Sequence, residues 1–173
     1  MLSPDKVVKA THVPKTFLEP LGYLAVWFAL LEQNVNAALG IFLDLERGRS
    51  DLMGAQINSI RVKIDIIELL AEKQITDVKW KVVFASVIKR AQDAATSRNN
   101  ILHGDWQYSL ASLIKDDAPV FKASVTRKGK PKRVELTPER IMNAAEEALD
   151  AAIRWELALN TVKREVPEGW PPR

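Results

Sequence analysis

The sequence predicts a mainly α-helical fold: an up-and-down bundle of four to five helices, with a small antiparallel β-meander inserted before the last long helix. Three observations predict it. Apolar residues recur at steps of three and four along several long stretches, the period that lines one face of a helix. Between Trp106 and Leu136 that period gives way to alternation, the period of strands. Capping residues stand where helices should begin, at Ser50-Asp51, Thr76-Asp77 and Thr137.

Residues 1–15 read as a leader with Pro4 and Pro14, where His12 takes no role. The first helix is expected from Thr16 to Leu45, because Phe17, Leu21, Leu24, Phe28, Leu31, Val35, Ala38, Phe42 and Leu45 make one sustained seam. At about 1.5 Å per residue it would run roughly 45 Å. Val26, Trp27, Leu30 and Ile41 add apolar surface outside the seam, so the helix is either central or shared with another subunit. Glu32 and Asn36, four residues apart, share one flank. They are either a polar pair on a solvated edge or a carboxylate and amide turned towards Arg98 or His103.

Glu46 to Ser50 reads as a turn. The second helix follows, with Met53, Ile57, Ile60, Ile64, Ile67 and Ala71 inward and Arg61, Lys63, Asp65, Glu68 and Glu72 mostly off that stripe. It carries no evident chemistry. The third helix presents Trp80, Phe84, Val87, Ala91 and Ala94, and the next member of that row is Arg98. An Arg on a buried row needs anions or acceptors, and Glu32 or a phosphate would serve.

Trp106, Tyr108 and Leu110 then alternate with polar residues, as do Phe121, Ala123 and Val125 after the turn signal Asp116–Pro119. A second turn at Lys128-Gly129-Lys130-Pro131 leads to a short third strand at Val134–Leu136. Arg127, Lys128, Lys130, Lys132 and Arg133 crowd that tip. They form either a solvated charged turn or an arm that contacts phosphates without reading sequence. The last helix starts at Thr137-Pro138-Glu139, with Thr as N-cap and Pro in the first helical position. Its stripe is Ile141, Ala145, Ala148, Ala152, Trp155, Leu159 and Val162. Residues 166–173 read as a loose tail.

Composition bounds the class. The 173 residues are 47% hydrophobic and 27% charged, which suits one globular domain. The absence of cysteine removes disulfides and thiolate chemistry and fits a cytoplasmic setting. The net charge of +3 permits an anionic partner without demanding one. The apolar run Leu21–Leu31 is too short to span a bilayer, and no secretory signal is evident, so no membrane is expected. Two separated histidines and no cysteine argue against a metal site, and no Gly-rich phosphate loop or nucleophile elbow is present.

The chemistry-bearing stretch is Arg98-Asn99-Asn100-Ile101-Leu102-His103-Gly104. Arg keeps its proton and offers a planar fork that fits phosphate. His exchanges a proton near neutral pH. Together they suffice in kind for phosphoryl transfer without a metal or cofactor. The plainer reading is helix-end capping by Asn and Gly, with Arg favoured by the helix dipole. On an ideal helix Arg98 and His103 lie about 140° apart. Either the helix breaks at Asn99-Asn100, or the two come together from different subunits.

Arg98-Asn99-x-x-x-His103 resembles the signature of the HEPN superfamily, small all-α domains that include many RNases of toxin–antitoxin, phage-defence and RNA-processing systems. The helix order resembles that family from about Phe17 to Val162, and the β-meander departs from its minimal core. The resemblance implies metal-independent RNA cleavage with His103 as general base or acid and Arg98 stabilising the transition state. Asn99 would orient the phosphate or the ring, and Glu32 and Asn36 would hold Arg98. It also implies a homodimer with the motifs facing each other, and it admits an antitoxin protein as partner. Some toxin members carry a Tyr two residues after the His; here Asp105 stands there. The rival expectations are a non-catalytic module binding RNA or nucleotide, and a structural helical dimer with an Arg98–Glu32 ion pair.

Overall fold

The computed structural model describes residues 13, 15–45, 47–103, 105–108, 121–127 and 130–165. The protein is mostly helical: α1 (Lys15–Phe42), α2 (Arg47–Gln56), α3 (Ile60–Gln74), α4 (Val78–Leu102) and α5 (Pro138–Glu165). Three strands, β1 (Asp105–Tyr108), β2 (Phe121–Arg127) and β3 (Lys130–Leu136), pair antiparallel in the order β1-β2-β3. The residues read as a leader lie outside the described residues apart from Val13 and Lys15, as do the expected tail 166–173 and the turn at 116–119. Two compact units emerge, one drawn from Met1–Val26 and Thr96–Glu146, the other from Trp27–Ala95 and Glu147–Arg173.

Helix α1 stops at Phe42, three residues short of the expected end. Asp44 adopts a left-handed φ of 51°. Leu45 N–H donates to Gly40 C=O at 2.9 Å, and Asp44 N–H donates to Ile41 C=O at 3.1 Å. Those two bonds form the Schellman arrangement, with Asp44 where glycine commonly stands. The expected turn at 46–50 is therefore displaced: the chain turns at Leu43–Leu45, and Arg47 already begins α2.

The expected second helix is two helices. Ser59 sits in extended conformation as the N-cap of α3, so the chain breaks after Gln56. The break also corrects the stripe. Ile60, Ile64, Ile67 and Ala71 are buried, while Met53 on α2 is 42% exposed.

Asp77 caps α4, its Oδ1 accepting from the backbone N–H groups of Lys79 (2.7 Å) and Trp80 (3.4 Å). Asp77→Ala is expected to cost about 0.5–2 kcal/mol in a denaturant melt; no change would remove that cap from the account of α4. Thr137 Oγ1 likewise accepts from Arg140 N–H at 3.1 Å at the start of α5.

In the second unit, α1, α3, α4 and α5 contribute Phe28, Leu31, Ile64, Phe84, Ala91 and Trp155 to one apolar core. Phe42 meets Phe84 edge-on at 5.5 Å, a favoured aromatic geometry. By length and composition α1 is the one helix among the described residues that could cross a bilayer, although the run Leu21–Leu31 is shorter than a span. Its buried stripe through Phe28, Leu31, Val35, Ala38 and Phe42 is what a core helix carries. Val26 and Leu30 remain exposed, and Trp27 and Ile41 pack half-buried against the core.

In the first unit the sheet registers Asp105 with Ser124, Phe121 with Leu136 and Arg127 with Lys130. The third strand is longer than expected: Lys130, Pro131, Lys132 and Arg133 belong to its ladder and not to a turn. Pro131 is tolerated because β3 is an edge strand, where a missing N–H need not break the ladder.

Candidate active site

Helix α4 carries the motif. Its buried row runs through Ala91, Ala94 and Ala95, and Ile101 is buried about two turns further on. Apolar anchors therefore flank the polar turn and hold Arg98 and Asn99 on a formed helix. The helix runs unbroken through Asn99-Asn100 to Leu102. His103 N–H still donates to Asn99 C=O at 3.0 Å, and the chain leaves the helix there.

The expected choice between a break at Asn99-Asn100 and two subunits thus has a third solution. Within one chain, Arg98 Nη1 lies 2.8 Å from His103 Nε2 and donates to Asn99 Oδ1 at 3.0 Å. A long guanidinium arm bridges the angular gap that an ideal helix leaves. One nitrogen, with its two hydrogens, serves both partners. Arg98 is half-buried, with its Nε enclosed, while Asn99 and His103 are exposed.

Guanidinium has donors and no acceptor, so in this contact Arg98 Nη1 donates and His103 Nε2 accepts. In this arrangement the basic lone pair of the imidazole is covered by the cation that would meet a phosphate.

Glu32 and Asn36 lie in the second unit, in a cluster with Lys63. Lys63 Nζ donates to Asn36 Oδ1 at 2.8 Å. Gly54 of α2 closes on the same amide: a Cβ there would come within 3.1 Å of Asn36 Cγ and Oδ1. Lys63 is only 7% exposed, contrary to its expected place off the stripe. Its spacing shows why: it stands three residues after Ile60 and four before Ile67, both inward-facing, so it shares their face.

Burial lowers the Lys63 ammonium below its ordinary 10.5, and the Glu32 carboxylate partly offsets this. The folded state therefore sheds the proton more readily than the unfolded chain. The cost of burying the charge is full below the folded value and relieved as pH rises towards 10.5. Lys63→Met should be at least as stable as the wild type at neutral pH, with any advantage shrinking in alkaline buffer. Asn36→Ala should cost about 1.5–3 kcal/mol, because it strips the ammonium of an acceptor. Paired melts across pH check both; an advantage of Lys63→Met that grows with pH would reverse the assignment.

Of the basic hairpin residues, Lys128 lies outside the described residues, and Arg127, Lys130, Lys132 and Arg133 are placed by backbone register alone. Among the described residues no group of three or more His, Asp or Glu is arranged to hold a metal ion. No protein-family model, no curated protein and no solved structure matches this chain.

Proposed function

We propose that the protein is a metal-independent endoribonuclease of HEPN type, a helical bundle whose β-meander precedes the last helix. The observation that carries this reading is the 2.8 Å approach of Arg98 Nη1 to His103 Nε2. It brings a fixed cation and a proton acceptor within reach of one phosphate.

Arg98 covers Nε2. An incoming phosphodiester offers the guanidinium a charged acceptor. As Arg98 turns to it, Nε2 is released to take the proton of the adjacent ribose 2′-hydroxyl. The 2′-oxygen bonds to phosphorus, and the bond to the 5′-oxygen breaks. That oxygen leaves as a hydroxyl, taking its proton from solvent water, and a 2′,3′-cyclic phosphate remains. Arg98 stabilises the charge gained in the pentacoordinate transition state, and Asn99, held by Arg98, steers the fork. The basic β2–β3 end, where Arg127 and Lys130 pair in register, would supply backbone affinity.

A homodimer with the motifs near its interface, built in part on the exposed Val26 and Leu30 of α1, completes the proposal. A cytoplasmic toxin–antitoxin or phage-defence role, with an antitoxin as partner, would follow. The occupied Nε2 favours one second reading, a module that binds RNA or nucleotide without cleaving it. Incubation with end-labelled single-stranded RNA in EDTA tests the first reading. Cyclic-phosphate ends on RNA and intact DNA support it. Saturable binding with no cleavage across a broad RNA panel would replace it with the second.

A further inference from the structure

A groove of about 450 Å³ runs between α4 and α5 in the second unit, within the range of roughly 300–1,000 Å³ typical of ligand clefts. Trp80, Val83, Val87, Leu157 and Ala158 line it, and Arg154 stands in its wall. Val82 on one side is 66% exposed and Leu157 on the other 60%, so both walls offer apolar surface to solvent.

The charge beside the groove is uneven. Asp150 accepts from Arg90 Nη1 at 2.8 Å and from Arg154 Nε at 2.8 and 2.9 Å. Two guanidinium groups thus share one carboxylate, and these three groups together carry one positive charge. Arg154 commits only its Nε, and among the described residues its two terminal nitrogens make no hydrogen bond. Those nitrogens are the part of the fork that grips a carboxylate.

We propose that this groove binds a medium-chain fatty acid, with the aliphatic chain along Trp80, Val83 and Leu157 and the carboxylate on the Arg154 fork. The chemistry matches at both ends. An alkyl chain covers apolar surface that water otherwise meets, and a carboxylate balances the surplus cation beside Asp150. The proposal is independent of the ribonuclease reading.

Calorimetric titration of the full chain with decanoate tests it. The expected result is saturable binding of one decanoate per chain. Octanoate, two methylenes shorter, should bind roughly tenfold more weakly. Decylammonium, with the same chain and the opposite charge, should not bind. Arg154→Met should weaken decanoate at least tenfold. If that variant shifts the thermal melt, Leu157→Asp, which leaves the fork in place, should abolish binding. Equal affinity for decylammonium, unchanged affinity in both variants, or no saturable decanoate uptake would each overturn the proposal, as would binding of an apolar peptide carboxylate in place of decanoate.

Discussion

His103→Ala is expected to lower RNA cleavage by about 10²–10⁴-fold, the usual loss when a positioned general base is removed, while the melting transition stays where it was. The side chain is exposed and its described hydrogen bond is to Arg98, so little packing is lost. Arg98→Ala should match or exceed that loss. On the proposed mechanism it removes the cation for the transition state, and it removes the donor to Asn99 Oδ1. Arg98→Lys is the sharper variant. It keeps the charge but loses the fork that serves Asn99 and His103 together, so it should recover RNA binding more than turnover. Because the three residues act through one guanidinium, the double variant His103→Ala/Arg98→Ala should be little worse than the poorer single one. Initial rates on a fixed single-stranded RNA, with a binding isotherm for each variant, separate the cases. Full cleavage by His103→Ala would end the proposal for this site; RNA binding that weakens in His103→Ala, with no cleavage by the wild type, would favour the non-catalytic module.

Much of this was legible in the sequence, for reasons that differ from element to element. The inward rows of α4 and α5 were readable because Phe84, Val87, Ala91, Ala145, Ala148 and Trp155 keep an unbroken helical period. The end of α1 was not, because Asp44 adopts a left-handed conformation that non-glycine residues seldom take. The split between α2 and α3 was hidden by Met53 and Ile57, which continue the period of α3 across a real break at Ile57–Ser59. Pro131 suggested a turn because its missing N–H is a defect in a central strand; on an edge strand it is none.

At the candidate site, residue types could be listed but reach could not. Ideal helix geometry separated Arg98 from His103, and the length of an arginine side chain closes what backbone angles leave open. Lys63 was missed for another reason. A charged residue invites placement outside, although its offsets from Ile60 and Ile67 put it on the buried face. The signal was in the spacing, and residue polarity outweighed it.

The largest loss of stability should come from Trp155→Ala, at about 3–5 kcal/mol. Trp155 is fully buried in the core of the second unit. Along α5 its neighbours in that core are Ala148, Ala151, Ala152, Ala158 and Leu159. Four of these five are alanines, which cannot swing into the space an indole vacates, so most of the cavity should persist. Against a typical total of about 5–15 kcal/mol, that is enough to threaten folding at physiological temperature. Trp155→Phe separates volume from polarity. The indole Nε1 has no hydrogen-bond partner among the described residues, so replacing it forfeits no such bond. Phenylalanine gives up only part of the volume, and the expected cost is about 1–2 kcal/mol. Urea unfolding of both variants gives the comparison. Equal, large losses would mean that the indole N–H has a partner after all. A loss below about 1 kcal/mol for alanine, within the range of ordinary surface substitutions and their scatter, would mean that α5 packs around something other than this side chain.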